Sequence, residues 1–177
     1  MKSLSILFLS TALFAVGCDE SSDSDPSNVE PPPIPASDVE FIDSLVPHHQ
    51  EALEMSNMIL ERGSDPAVLE MAREMRDAQQ REIAEMMSIR SQLAPGYELR
   101  VMTDPHGEED HAELAAASGS QADVVFLENM IPHHAGAVSL AHRAKRNLTV
   151  PALLEMADMT VVMQTREMNE MLDMLGR

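Results

Sequence analysis

The sequence predicts an all-α fold, a four-helix bundle made of two duplicated helical hairpins. The main observation is an internal repeat, in which residues 38–86 recur as residues 123–171 in unbroken register. Apolar residues in both copies are spaced alternately three and four apart, which is typical of helices that pack in a bundle. The period-two alternation typical of strands is absent from the sequence. A unit that cannot bury its apolar face alone is expected to pack against its copy.

Each hairpin has recognisable helix start and stop signals. Ser37 and Glu40 form a capping-box pattern that predicts the start of the first helix, and Gly63 suits its end. Pro66 suits the first position of the second helix, where its missing N–H has no helical partner to lose. The predicted helices are 37–62, 66–94, 121–146 and 150–175, within a bundle domain at 37–177.

The amino-acid composition limits the partners and cross-links that the protein can have. The chain has 177 residues, with 30 acidic residues against 12 Lys and Arg, and a formal net charge of −18. This charge excludes nucleic acid as a partner, because phosphates require a basic surface, and it favours cations. The single cysteine excludes an intrachain disulfide, whereas the fifteen methionines are an unusual supply of thioether sulfur.

The N-terminal segment predicts export and anchoring. Residues 1–17 have the basic start and apolar stretch of a signal peptide, and the stretch is too short to span a membrane. The sequence Ala-Val-Gly-Cys that ends at Cys18 resembles a bacterial lipobox, so Cys18 is the expected lipidation site. Residues 18–36 predict a disordered, acidic and proline-rich tether. The expected location is the bacterial cell envelope, as a membrane-anchored lipoprotein facing the periplasm or the exterior. The alternative is an ordinary signal peptide with a stray cysteine.

A Pro-His-His motif stands at the same place in both repeats, as Pro47-His48-His49 and Pro132-His133-His134. His48 and His133 fall on the predicted interior stripe and are the stronger candidates for metal ligands. His49 and His134 lie about 100° further round the helix, at the edge of that stripe, and are weaker candidates. Proline inside a helix removes a backbone hydrogen bond and bends the helix, which would aim these side chains. A satisfied structural histidine is the alternative for each.

Methionines occupy the same interior stripes. Thioether and imidazole form a soft ligand set, which selects Cu(I) over Mg²⁺, Ca²⁺ or Mn²⁺. Methionine is also an adaptable core filler, so packing alone is the alternative explanation at each position. A further stripe on the opposite side of the last helix, Met156, Met159 and Met163, predicts an oligomer contact, with an auxiliary soft metal site as the alternative. The interior methionines are Met55, Met75, Met86, Met130, Met171 and Met174.

Polar residues also recur on the interior stripes of the second helix of each repeat. They are Gln79 and Glu82 in the first repeat, and Gln164 and Glu167 in the second. A buried carboxylate needs a partner, so these residues are candidates to support the metal ligands.

The connector between the repeats, residues 94–120, is longer than a bundle turn requires. It is rich in Asp and Glu and is expected to be a solvated acidic loop. Its His106 and His111 are potential extra ligands, and the sequence leaves that question open.

At these motifs the chain resembles a known bacterial family, catalogued as domain of unknown function 305, over about residues 38–175. The motifs that carry the resemblance are Phe41-x₃-Leu45-Val46-Pro47-His48-His49-x₂-Ala52-x₂-Met55 with its copy from Phe126 to Ala137, and Gln79-x₂-Glu82-x₃-Met86 with its copy Gln164-x₂-Glu167-x₃-Met171. The resemblance implies an extracytoplasmic, ferritin-like four-helix protein, and some members of the family bind copper. It implies that the four histidines and the neighbouring Met55, Met86 and Met171 are the metal ligands. One departure is Leu140, where the second repeat lacks the methionine that follows the first His pair.

These observations predict an extracytoplasmic copper-binding protein with a preference for Cu(I), which serves copper buffering, resistance or transfer and is not an enzyme. Its expected partners are the copper ion, the membrane through the lipid anchor only, and a copper-transfer protein or a second copy of the chain. The first alternative is a redox enzyme that oxidises a metal on the same bundle. The second is a helical interaction module without metal. The expected site is unequal between the repeats, with Met55, Met86 and His48 together in the first.

Overall fold

The computed structural model describes residues 36–96, 98–99 and 107–176, which form α-helices and no strands. The helices are α1 Ala36–Arg62, α2 Pro66–Leu93, α3 Gly107–Ala116, α4 Ser120–Ala144 and α5 Pro151–Met174. The all-α prediction is confirmed for these residues, and the four long helices lie within a few residues of their predicted bounds. The predicted signal peptide, Cys18 and nearly all of the predicted tether lie outside the described residues. None of the described helices is long and apolar enough to cross a membrane.

Local signals explain most helix ends. α1 stops at Arg62, and α2 starts with Pro66 at its first position, where the Asp65 carboxylate accepts a hydrogen bond from the N–H of Ala67. The prediction that Ser37 caps α1 is wrong, because α1 already begins at Ala36. The Ser37 hydroxyl donates instead to the carbonyl of Asn147, in the α4–α5 loop.

The two hairpins are joined by a reciprocal pair of aspartates. Asp38 accepts hydrogen bonds from the backbone N–H of Thr149 and Val150, at 2.9 and 3.3 Å. Its counterpart Asp123, 85 residues later, accepts from the backbone N–H of Ser64 and Asp65, at 2.9 and 3.0 Å. Each hairpin thus uses the start of its first helix to hold the loop of the other. The hairpins therefore pack head to tail, related by an approximate two-fold axis.

Helix packing is uneven around the bundle. α1 packs closely on α2, and α4 on α5, while α1 and α4 join the two hairpins. Direct contact between α2 and α5 is sparse. The bundle is therefore closed on the α1–α4 side and leaves a cleft between α2 and α5.

The core consists of two apolar clusters, one at each end of the bundle. We call one the Met-rich end, because its buried methionines are Met55, Met71, Met75, Met130 and Met171. We call the other the Met-poor end, because its buried methionines are Met86 and Met156. Since the hairpins run head to tail, each end combines the loop half of one repeat with the open half of the other.

The expectation of a wholly solvated connector is wrong. Its second half forms α3, which packs on α1 and α4. Leu114 is completely buried and Ala117 is 2% exposed, and both belong to the Met-rich end. Burial of these apolar side chains stabilises a short helix that an acidic sequence alone does not predict.

Candidate metal centre

The two Pro-His-His motifs meet at the centre of the bundle. The ring centroids of His48 and His133 lie 3.7 Å apart. Because these residues are equivalent in the repeat, their contact lies on the approximate two-fold axis. His48 Nε2 lies 3.0 Å from the backbone carbonyl oxygen of His133, to which it donates. Pro47 and Pro132 are both inside their helices, immediately before the paired rings.

The second histidine of each motif binds a glutamate of its own hairpin. His49 Nε2 lies 2.7 Å from a carboxylate oxygen of Glu82, and His134 Nε2 lies 2.8 Å from one of Glu167. Both imidazoles are completely buried. Each glutamate therefore contacts a candidate ligand histidine, and its role in supporting metal binding stays a prediction.

The burial of the four histidines is the reverse of the order that the interior stripe predicts. His49 and His134 are completely inside, whereas His48 and His133 retain partial exposure. The reason is that α1 has two neighbours. His48 faces α4 of the other hairpin, while His49, about 100° further round, faces α2 of its own.

The Nδ1 atoms of all four histidines are buried and have no hydrogen-bond partner. His133 Nε2 is also buried without a hydrogen bond. A buried polar atom left without a partner destabilises the fold by about 1–3 kcal/mol. Because each neutral imidazole keeps one N–H, these five nitrogens offer at most four lone pairs, and imidazole nitrogen is a common ligand for copper and zinc.

The electrostatics of this centre keep imidazole in the form that binds metals. Burial, followed by repulsion from His133, lowers the pKa of His48 from 6.5 to about 2. Burial also lowers the pKa of His134, although its hydrogen bond to Glu167 acts in the opposite direction. His48 is therefore neutral at pH 7, and a neutral imidazole has a lone pair available for a metal.

The predicted methionine ligands lie at two different ends of the bundle. Met55 and Met171 are buried in the Met-rich end, whereas Met86 is buried in the Met-poor end. The expectation that Met55 and Met86 share one region with His48 is therefore wrong. In an antiparallel hairpin, residues after His49 face residues before Glu82, so Met55 and Met86 lie on opposite sides of the His49–Glu82 pair. Met174, also predicted to be interior, is 40% exposed.

Among the described residues, no three side chains of His, Cys, Asp or Glu form a ready-made metal cage. His111 lies elsewhere, with Nδ1 3.5 Å from a carboxylate oxygen of Glu54. His106 lies outside the described residues.

The two repeats differ beside the axis at one position that was not singled out from the sequence. His133 Nε2 lies 3.7 Å from a carboxylate oxygen of Glu51. The residue equivalent to Glu51 in the second repeat is Gly136, and a Cβ there would lie 3.4 Å from His48 Nε2. The repeat alignment contains this signal, since it pairs an acidic residue with a glycine three residues, or slightly less than one helical turn, after His48 and His133.

Comparison with known proteins identifies the family of this chain. The model of the family described as domain of unknown function (DUF305) matches residues 38–175. The chain belongs to the DUF305 family. A solved DUF305 protein from Streptomyces coelicolor, assigned as secreted, is 26% identical, with a TM-score of 0.73 over 81% of this chain and 94% of that protein.

The DUF305 chain is also similar to CopM. CopM in its Cu(II)-bound form is 32% identical, with a TM-score of 0.68 over 77% of this chain and 93% of CopM. CopM has also been solved in Cu(I)-bound and Ag-bound forms. Uncharacterized protein L153 of Acanthamoeba polyphaga mimivirus is 38% identical over 52 residues. That match spans 29% of this chain and only 34% of the viral protein.

Proposed function

We propose that this DUF305 protein binds copper, with a preference for Cu(I), and buffers it or passes it to another protein in the cell envelope. The observation that carries the proposal is the set of buried, unpartnered imidazole nitrogens on the two-fold axis. Their burial favours the neutral imidazole that a metal requires. The similarity to CopM, which is known in copper-bound and silver-bound forms, supports the same assignment.

The choice of Cu(I) rests on the donors that border the axis. Imidazole alone suits several transition metals, whereas imidazole with thioether favours a soft ion. Met55 follows His48 by seven residues, two turns along the same helix face, and is buried at the Met-rich end. Met171 is buried in the same cluster and Met86 in the other. We therefore place the thioether donors at the two ends of a shared imidazole centre.

The proposed role is binding rather than turnover. The two glutamates nearest the histidines, Glu82 and Glu167, are hydrogen-bonded to imidazole, which orients the rings. This arrangement serves to hold an ion and release it to a partner. Copper-dependent oxidation of Cu(I) or Fe²⁺ by the purified protein would support the enzyme alternative instead.

Anaerobic competition titration with a chromophoric Cu(I) chelator tests the proposal directly. Cu(I) is expected to bind the wild-type chain, and binding is expected to depend on His48 and His133. A Cu(I) affinity that survives removal of both imidazoles would contradict the assignment of the site. A fold that is indifferent to copper and to chelators, with no copper bound, would favour the helical interaction module.

The location is proposed from the sequence of the N-terminus. We propose that Cys18 carries the lipid and that residues 19–36 tether the bundle to the membrane. Cys18→Ala is expected to move the protein into the soluble envelope fraction with an unchanged helical content, measured by fractionation and circular dichroism. Membrane retention of this variant would contradict the lipoprotein assignment.

A further inference from the structure

The cleft between α2 and α5 contains two glutamines that the proposed copper site does not use, beside the two glutamates that orient its imidazoles. It has a volume of about 40 Å³ and is lined by equivalent residues of the two repeats, Gln79 with Gln164 and Glu82 with Glu167. A space of this size holds a water molecule or a metal ion.

The two glutamines are the unusual feature of this cleft. Gln79 and Gln164 are each 4% exposed, and the amide oxygen of each is buried without a hydrogen-bond partner. Both residues line the cleft from opposite helices. An orphaned buried acceptor is destabilising, and its occurrence at the same position in both repeats indicates a ligand that takes an oxygen lone pair from each.

The chemistry of the cleft distinguishes among ligands. Glu82 and Glu167 each accept a hydrogen bond from an imidazole, which leaves the carboxylates as acceptors toward the cleft. Thr160, the hydroxyl residue in the lining, donates its proton to the carbonyl of Met156. Apart from the thioethers of Met75 and Met163, the acceptors that line the cleft are oxygens, a set that matches a cation and repels an anion.

A wider acidic cleft adjoins this one and shares Glu82 with it. Its volume is about 260 Å³, and Glu85 and Glu155 supply two further carboxylates from α2 and α5. Carboxylates that line a cleft concentrate cations from solution. The outer cleft thus provides an approach to the inner glutamines for a positively charged ion.

We infer that the α2–α5 cleft is a second metal site, separate from the histidine axis, which binds a divalent cation that prefers oxygen ligands, such as Mn²⁺ or Ca²⁺. The amide oxygens of Gln79 and Gln164 and the carboxylates of Glu82 and Glu167 are its ligands. Amide and carboxylate oxygens are the donors that such hard cations select. Glu82 and Glu167 then connect the two sites, because each also binds a histidine of the axis.

Mn²⁺ serves as the probe, because the electron paramagnetic resonance signal of the free ion falls when the ion binds. The copper-free full chain is expected to bind a single Mn²⁺, and Ca²⁺ is expected to compete with it. The double variant Gln79→Leu/Gln164→Leu is expected to bind Mn²⁺ at least about 10-fold more weakly. The matched control is Gln80→Leu/Gln121→Leu, which alters two exposed glutamines and is expected to bind like the wild type.

Three results separate this inference from the copper proposal. His48→Ala/His133→Ala is expected to keep Mn²⁺, whereas Gln79→Leu/Gln164→Leu is expected to keep Cu(I). If that glutamine variant does not fold, Gln79→Glu replaces it and is expected to tighten Mn²⁺ binding several-fold, because it adds a negative oxygen. Absence of Mn²⁺ binding to the wild type, or an affinity unchanged in the glutamine variants, overturns the second site. Neither result affects the Cu(I) titration.

Discussion

The two ends of the bundle are related by one approximate two-fold axis but differ in the number of buried methionines. At three equivalent positions the Met-rich end has Met55, Met75 and Met130, and the Met-poor end has Leu140, Thr160 and Leu45. Exchange of Leu and Met in a core usually changes stability by less than about 1.5 kcal/mol. Packing therefore tolerates either residue at the two Leu/Met positions, and we propose that the thioethers concentrated at one end serve copper binding.

The His-Glu pairs at the centre of the bundle are more symmetric than its ends. The His-Glu pairs of the two repeats have almost the same geometry, at 2.7 and 2.8 Å. We propose that the histidines on the axis supply imidazole ligands to both halves of the bundle. The methionines at each end then determine how strongly that half binds copper. α3 adds to the asymmetry, because Leu114 covers the Met-rich end.

The largest expected effect comes from removing the axis itself. His48→Ala/His133→Ala is expected to weaken Cu(I) binding by more than about 100-fold, since the change removes two proposed ligands rather than their supports. Chelator competition measures the loss, and His142→Ala, an exposed histidine of α4, is the control. If both ends still bind Cu(I) in the double variant, His48 and His133 do not serve as ligands common to the two ends.

Acidification tests the same axis through stability. The folded-state pKa of His48 is lowered to about 2 from 6.5, so below pH 6.5 the unfolded chain takes up a proton that the folded chain does not. Stability is therefore fully present above pH 6.5 and is lost as pH falls, by up to about 1.4 kcal/mol per pH unit. Urea unfolding at pH 7 and pH 5 measures the loss. His48→Gln is expected to reduce this pH dependence, and equal slopes for the two proteins would contradict the assigned cause.

Exchange of methionine and leucine at equivalent positions tests whether the thioethers cause the two ends to differ in Cu(I) affinity. Met55→Leu is expected to lower Cu(I) affinity roughly 10-fold, or about 1.4 kcal/mol, and Leu140→Met is expected to raise it at the other end. Competition titration of both variants measures the changes, with the exposed Met87→Leu as the control. If Met55→Leu binds like the wild type while the histidine variant does not, the Met55 thioether only packs.

The aspartates that hold the loops test whether the two hairpins stabilise each other. Asp123→Ala removes hydrogen bonds at the Met-rich end, and Asp38→Ala removes the equivalent bonds at the Met-poor end. Each is expected to lower the free energy of unfolding by about 1–2 kcal/mol, measured by urea denaturation, with the exposed Asp77→Ala as the control. A loss confined to one aspartate would show that the two hairpins do not hold each other reciprocally.

The sequence by itself determined the helices and the duplicated unit. Pro66 defines the start of α2 locally, whereas Gly63 is required by a tertiary contact, because a Cβ there would lie 2.6 Å from a carboxylate oxygen of Asp123. The alternating three- and four-residue spacing identified the interior of each helix, so Met55, Met86 and Met171 are buried as expected. The repeat also placed the Pro-His-His motifs at equivalent positions, which is why their meeting on an axis is consistent with the pattern.

Only the tertiary structure decided which neighbour each interior residue faces. A periodic stripe defines a direction on one helix, but a bundle helix has two neighbours, so His48 turned to α4 and His49 to α2. The head-to-tail pairing of the hairpins is a long-range choice that local periodicity does not encode. That choice separated Met55 from Met86, docked Leu114 of α3 at one end, and left the α2–α5 cleft with its glutamines.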